Sequence, residues 1–278
     1  MAIRRPLIWT SLAVAAATLP ISTPSVSAAD FSPAFQVLQG PSSASPLFIA
    51  DAAQGGEGGE AGIVVEDFGT DPVAYLIALD IIRGHELAGR DIYAAGDKPA
   101  AIELFEHAIS ETYDSLAPVM AKLGTADIRA ALEATVAKAK AGAPPEDLAR
   151  AVDAATAALD EAGKGKPKSS LSDQVIDATV ITRMLKNAVG HFEKVASKPD
   201  GEAYIDGYGF LAAAKARSEK LRPVLAKSSA AGVKKLDDAL SALSEVFPGA
   251  KMPDHITVKP GPILAKVSKA MFILSDLH

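Results

Sequence analysis

Apolar residues recur along this chain at intervals of three and four, and alternation at period two is scarcely visible, which predicts helices and no large sheet. The clearest stripe is Ala78, Ile81/Ile82, His85, Gly89 and Ile92. It predicts a helix from Pro72 to about Ala95, with Asp71 as N-cap and Pro72 in the first turn. Gly96-Asp97 ends it, and Asp97 caps a second helix over 98–122 whose apolar face is Ala101, Leu104/Phe105, Ala108, Thr112 and Leu116. A third helix over 126–141 follows, with Thr125 as its N-cap, and Pro144-Pro145 separates it from a fourth over 145–162. Helices are then predicted over 171–197, over 202–228 with loosening at Gly207 and Gly209, over 232–246 and over 262–276. Between the two sets lies a basic, Gly- and Pro-bearing stretch, 164–170, with the composition of a linker. The expected fold class is therefore all-α: about eight helices in two antiparallel bundles, 65–163 and 171–278.

The start of the chain reads differently. Arg4 and Arg5 precede an apolar run from Leu7 to about Ile21, closed by the small residues Val26-Ser27-Ala28-Ala29. That is the pattern of a cleaved secretory signal peptide over 1–29, and it predicts export to the periplasm. Residues 30–64, with the run Gln54-Gly55-Gly56-Glu57-Gly58-Gly59-Glu60, read as a flexible Gly/Glu-rich leader that cannot build a core.

Losing residues 1–29 removes two arginines and no acid, so the formal charge moves from −6 to −8. That balance argues against nucleic acid as a partner, which needs clustered Lys and Arg, and suits a protein that binds cations or simply stays dispersed. The chain has no cysteine, which excludes thiolate catalysis and Cys-ligated zinc. After the signal, no apolar stretch approaches the roughly 18 residues of a membrane helix. No nucleophile elbow, zincin motif, phosphate loop or dinucleotide fingerprint is present, so a non-enzymatic protein is expected.

Candidate chemistry gathers in the first hairpin. Glu103, His107 and Glu111 are each four residues apart and form one ridge. A tight turn between antiparallel helices would bring His85 towards them. Two imidazoles with one or two carboxylates suit a divalent first-row ion such as iron, copper or zinc. The competing reading makes His85 a hydrogen-bonded core residue and the ridge a solvated helix edge. In the second block His191 lies on the stripe Val180, Met184, Ala188, Val195, and the segment Glu202-Ala203-Tyr204-Ile205-Asp206 follows a turn. His191, Tyr204 and Asp206 are secondary candidates, with caps and hydrogen-bonded corners as the alternative. His255 and His278 read as exposed and incidental.

Two likenesses bear on function. Leu87-Ala88-Gly89-Arg90, Tyr93, Gly96-Asp97, Ala101, Phe105 and Ala108 approach the spacing of one tetratricopeptide unit, the basis of an alternative expectation, a periplasmic interaction scaffold. The Gly/Glu-rich leader followed by Ile82-Arg83-Gly84-His85, Gly89, Ile92-Tyr93, His107, Glu111 and Tyr113 resembles a group of uncharacterised exported bacterial helical proteins. Asp200-Gly201, Tyr204, Asp206 and Phe210 are similar to imelysin-like domains and to periplasmic domains of iron-uptake systems. The imelysin-type G-x-H-x-x-E signature is not met: Ala88 stands three residues after His85, and Lys194 three after His191. The resemblance implies an all-helical periplasmic protein of metal handling, working with a periplasmic or inner-membrane transport protein, with His85, His107 and Glu111 as its candidate ligands.

Overall fold

The computed structural model describes residues 65–277; the expected signal peptide, the leader and His278 lie outside the described residues. A 3-10 turn (Val65–Gly69) leads into α1 (Pro72–Ala94). Then come α2 (Lys98–His107), a π-helical turn (Ala108–Tyr113) and α3 (Asp114–Leu123), which together form one rod. The remaining helices are α4 (Arg129–Lys140), α5 (Pro145–Lys164), α6 (Asp173–Ser197), α7 (Gly201–Ser228), α8 (Ala230–Val246) and α9 (Pro260–Ser275). The fold is all-α, with no strand among the described residues.

Capping sets the boundaries. Asp71 accepts from the Val73 N–H, Asp97 from Ala100, Ser172 from Val175, Asp200 from Ala203 and Ser229 from Gly232, so the first orphan donors of α1, α2, α6, α7 and α8 are satisfied. Thr125 does not cap the next helix, as its position suggested. Gly124 ends α3 in the left-handed region at φ 69°, and the Thr125 hydroxyl donates back to the Met120 carbonyl. The acceptor at the entry to α4 is Asp127, 2.8 Å from the Arg129 N–H. Helix α7 also differs from expectation, running unbroken through Gly207 and Gly209.

Helix α1 is the centre. Eighteen of its 23 residues are buried, and α2, α5, α6 and α7 all pack on it. Its N-terminal half (Tyr75, Leu79, Ile82) joins a core with Leu159 of α5, Met184 and Phe192 of α6 and Leu211 of α7. Helices on both sides of the 164–170 segment therefore share apolar contacts through α1. Its C-terminal half (Ala88, Ile92, Tyr93) joins a second cluster with Phe105 of α2, Ala139 of α4 and Val152 of α5. The polar positions Asp80, Arg83, His85 and Glu86, all buried, fall around the seam between these two clusters.

Charge in that seam is paired. Asp80 holds Arg217 of α7 by two hydrogen bonds, and Arg83 Nε lies 3.3 Å from the same carboxylate. Arg217 also donates to Asp177 of α6 at 2.6 Å, and Arg83 to Asp160 of α5 at 2.6 Å. Burial alone would lower the Arg217 pKa, but Asp80 and Asp177 reverse the direction and raise it. The guanidiniums tie α1 to α5, α6 and α7.

Candidate functional site

Two glycines bring other helices against α1 on either side of His85. A Cβ on Gly84 would stand 2.9 Å from the Gly209 carbonyl oxygen, so α1 and α7 meet backbone to backbone. A Cβ on Gly89 would come within 2.6 Å of the Phe105 ring, so α2 packs on α1 through that ring. His85 is thus enclosed by α2 on one side and α7 on the other. A cavity of about 290 Å³ opens there, lined by His85, Glu103, His107, Glu111, Glu202 and Asp206, with Ala100, Leu104 and Ile205 as its apolar wall. A smaller void of about 20 Å³ adjoins it, bounded by His85, Asp206, Gly84, Gly209 and Phe210, large enough for one water.

The structure brings together the four primary residues singled out from the sequence. His107 stands at the rim, 39% exposed in its side chain; its Nδ1 lies 3.5 Å from Glu111 Oε1 and its Nε2 4.0 Å from Glu103 Oε1. The π turn begins directly after His107 and contains Glu111. Within it the Asp114 N–H reaches back five residues to the Ile109 carbonyl, the wider hydrogen bonding that defines such a turn and that recurs at functional sites. His85 is buried, and its Nδ1 has no hydrogen-bond partner of normal geometry. Burial first, and then the nearby His107, lower its pKa to about 4, against a weak pull from the Ile81 carbonyl. At neutral pH its ring carries no charge and keeps a free lone pair.

The secondary candidates divide. Asp206, 12% exposed in its side chain, lines both the cavity and the void, and its Oδ2 is 3.8 Å from His191 Nδ1. The His191 ring packs on Phe210, with centroids 5.3 Å apart, and its Nδ1 also lacks a partner of normal geometry. Burial, then Lys194, lower its pKa to about 4 as well, while the Ala203 backbone and Asp200 oppose them. Tyr204 sits elsewhere: its hydroxyl donates to the Gly249 carbonyl at 2.7 Å and its ring packs on Phe247, so it ties down the loop after α8. His255 is exposed, as expected.

Sequence reasoning did not include Glu202 in the site. Its signal was the four-residue spacing to Asp206, which puts both carboxylates on one side of α7. Among the described residues no three His, Asp or Glu side chains stand close enough to hold one ion as they are. Ligation would require the flexible carboxylate side chains to converge on the imidazoles. No protein-family profile, no curated protein and no solved structure matches the chain. No helix among the described residues is long and apolar enough to cross a membrane.

Proposed function

We propose that this chain is an exported, non-enzymatic protein that binds a divalent first-row metal ion, with a role in iron or copper uptake or homeostasis. His85 and His107 are the nitrogen ligands, and Glu103 or Glu111 supplies oxygen. The observation that supports this reading is a single cavity in which α1 contributes His85 and the α2 rod contributes the other three. Three features fit such a ligand set. His85 is held neutral by burial, as a ligating imidazole must be. Its Nδ1 makes no hydrogen bond of normal geometry and has only a weak interaction with the Ile81 carbonyl, so reorganisation of the ring around an ion would break no strong contact. His107 and its two glutamates stand at the solvent edge, where an incoming ion meets them first. Mixed imidazole and carboxylate donors accept iron, copper and zinc alike. Export rests on the charged, apolar and small-residue pattern of residues 1–29, and a transport protein of the periplasm or inner membrane is the natural recipient of the ion.

Elemental analysis of the untagged protein, beside the His85→Ala/His107→Ala variant, tests the reading. Stoichiometric iron, copper or zinc in the parent, lost from a variant that keeps its helical circular dichroism, is expected. Metal retained by the double variant, or none taken up by the parent from any offered ion, sinks this site. The second result shifts weight to an interaction scaffold with the histidines as core residues.

A further inference from the structure

Charge is divided unevenly along the chain. Residues 65–163 carry 8 Lys and Arg against 18 Asp and Glu, whereas residues 164–277 carry 18 against 12. The formal charges of the two parts are therefore −10 and +6, an asymmetry that points to a charged partner surface. Part of the positive excess has a definite place. The end of α7, the start of α8 and the end of α9 meet at Gly232, where a Cβ would stand 2.9 Å from Ile273 and 3.2 Å from Leu225. Helix α6 begins at the same end, since Asp177 in its second turn accepts from Arg217 in the C-terminal half of α7. Lys168 ahead of α6, Lys227 on α7, Lys235 on α8 and Lys269 on α9 belong to this end. Arg222 and Lys234 nearby are held by Asp237 and Asp238, but among the described residues these four lysines have no ion-pair partner. Asp276, exposed at the end of α9, is the opposing acid there.

Two of the three large apolar side chains that stand exposed among the described residues lie at the same end: Phe272, 66% exposed and three residues after Lys269, and Leu171, 48% exposed and just ahead of α6. Free ammonium groups around projecting apolar side chains match a bilayer surface, where the cations meet lipid phosphates and the apolar groups enter the boundary between headgroups and acyl chains. Nucleic acid matches less well, because these free cations are all lysines, with no guanidinium fork for a phosphate, and a phosphate backbone offers Phe272 and Leu171 nothing apolar.

We propose that this end of the molecule docks on a bilayer containing anionic phospholipid, with the four lysines on the headgroups and Phe272 and Leu171 dipping beneath them. Repulsion of the acidic part, residues 65–163, sets the orientation. Glu202 and Asp206 stand near the opposite end of α7, so the cavity they line is held off the surface by most of the length of that helix, roughly 40 Å at 1.5 Å per residue. The proposal is independent of the metal reading.

The chain has no cysteine, so one introduced thiol carries one environment-sensitive fluorophore. Phe272→Cys places it at the docking end, and Glu146→Cys, exposed in the first turn of α5, places it on the acidic part. Each labelled full chain is titrated with vesicles of phosphatidylcholine alone and of phosphatidylcholine with an equal part of phosphatidylglycerol. A blue shift at position 272 with the anionic vesicles only, reversed by high salt through screening, is expected, with no shift at position 146. Adding Lys227→Gln/Lys269→Gln to the Phe272→Cys chain should raise the lipid needed roughly 25-fold, at about fivefold per lysine at an anionic surface, with helical circular dichroism unchanged. No shift at position 272, equal shifts with both vesicle types, or a shift at position 146 as large as that at 272 overturns the proposal. A lysine variant that binds as the parent does overturns it as well, and so does tighter binding to double-stranded DNA than to the anionic vesicles at matched salt.

Discussion

Replacing Glu86 with glutamine should make the protein more stable in mildly alkaline solution and flatten its response to pH. Glu86 is fully buried on α1; its Oε2 has no partner, and its Oε1 lies 3.2 Å from the Thr135 hydroxyl of α4. That hydroxyl also lies 2.7 Å from the Leu132 carbonyl, and its single proton cannot serve both. The network closes if a neutral Glu86 carboxyl donates to Thr135 and Thr135 donates to Leu132. Burial raises the Glu86 pKa from 4.5 to about 8, although the Thr135 contact works the other way. The folded chain therefore keeps a proton that the unfolded chain releases. Its stabilising effect is complete below pH 4.5 and is lost as pH rises to about 8. The full loss is about 3–5 kcal/mol at roughly 1.4 kcal/mol per pH unit. Below pH 6.5 the buried imidazoles of His85 and His191, lowered to about 4, work in the opposite sense, because the unfolded chain binds protons that the folded chain refuses. The clean window is pH 6.5 to 8, where Glu86 alone should cost about 2 kcal/mol, or about 4–8 °C in Tm for a domain of this size. Urea unfolding in chelator at quarter-unit pH steps measures it. Glutamine keeps the shape and the donor to Thr135 and has no proton to lose. A parent curve that is flat across this window, or a Glu86→Gln curve that falls with the parent's slope, refutes the argument.

The two Gly-His pairs of the sequence should respond oppositely to alanine. Gly84→Ala drives a methyl to 2.9 Å from a backbone oxygen, which neither helix can yield cheaply, so a loss of about 1–3 kcal/mol and weakened metal retention are expected by thermal unfolding and elemental analysis. Gly190→Ala meets nothing within 4 Å inside a helix and should stabilise by roughly 0.5–1 kcal/mol; equal effects at the two sites contradict the helix-crossing account. Arg217→Met should cost about 3–5 kcal/mol in urea unfolding, because it strips a buried carboxylate of its strongest partner. Asp80→Asn on that background should recover part of the loss, and a single variant as stable as the parent argues against the network.

The caps explain why the helices were legible and the site only partly so. Asp71, Asp97 and Asp200 act within three residues of themselves, and the ridge of Glu103, His107 and Glu111 joins residues four apart; local spacing carries such information. Thr125 shows where local reading is ambiguous, since a hydroxyl after a left-handed glycine serves the helix behind it as readily as the one ahead. The buried charges of α1 were illegible for a different reason. On a helix packed along one face, Asp80, Arg83 and Glu86 would mark the solvent side, yet α1 is covered all round, and the partners that make this tolerable lie on α4, α5, α6 and α7. Gly84 and Gly209 are 125 positions apart and carry no side chain to name each other, so nothing in the sequence announces that α7 completes the cavity.

That same crossing joins fold and site. The two apolar clusters of α1 leave a polar seam where they meet, and the seam falls beside the close approach of α1 to α7. Filling it with apolar side chains would fuse the two clusters and remove the buried charges, an exchange that is often neutral or stabilising. The chain instead keeps the neutral His85 imidazole, whose Nδ1 makes no hydrogen bond of normal geometry, beside the carboxylates that line the cavity, an arrangement unfavourable for packing alone. A burial cost concentrated beside a solvent-open cavity is the expected signature of a binding site rather than of a core, which is why the metal reading rests on this seam and not on the exposed histidine ridge by itself.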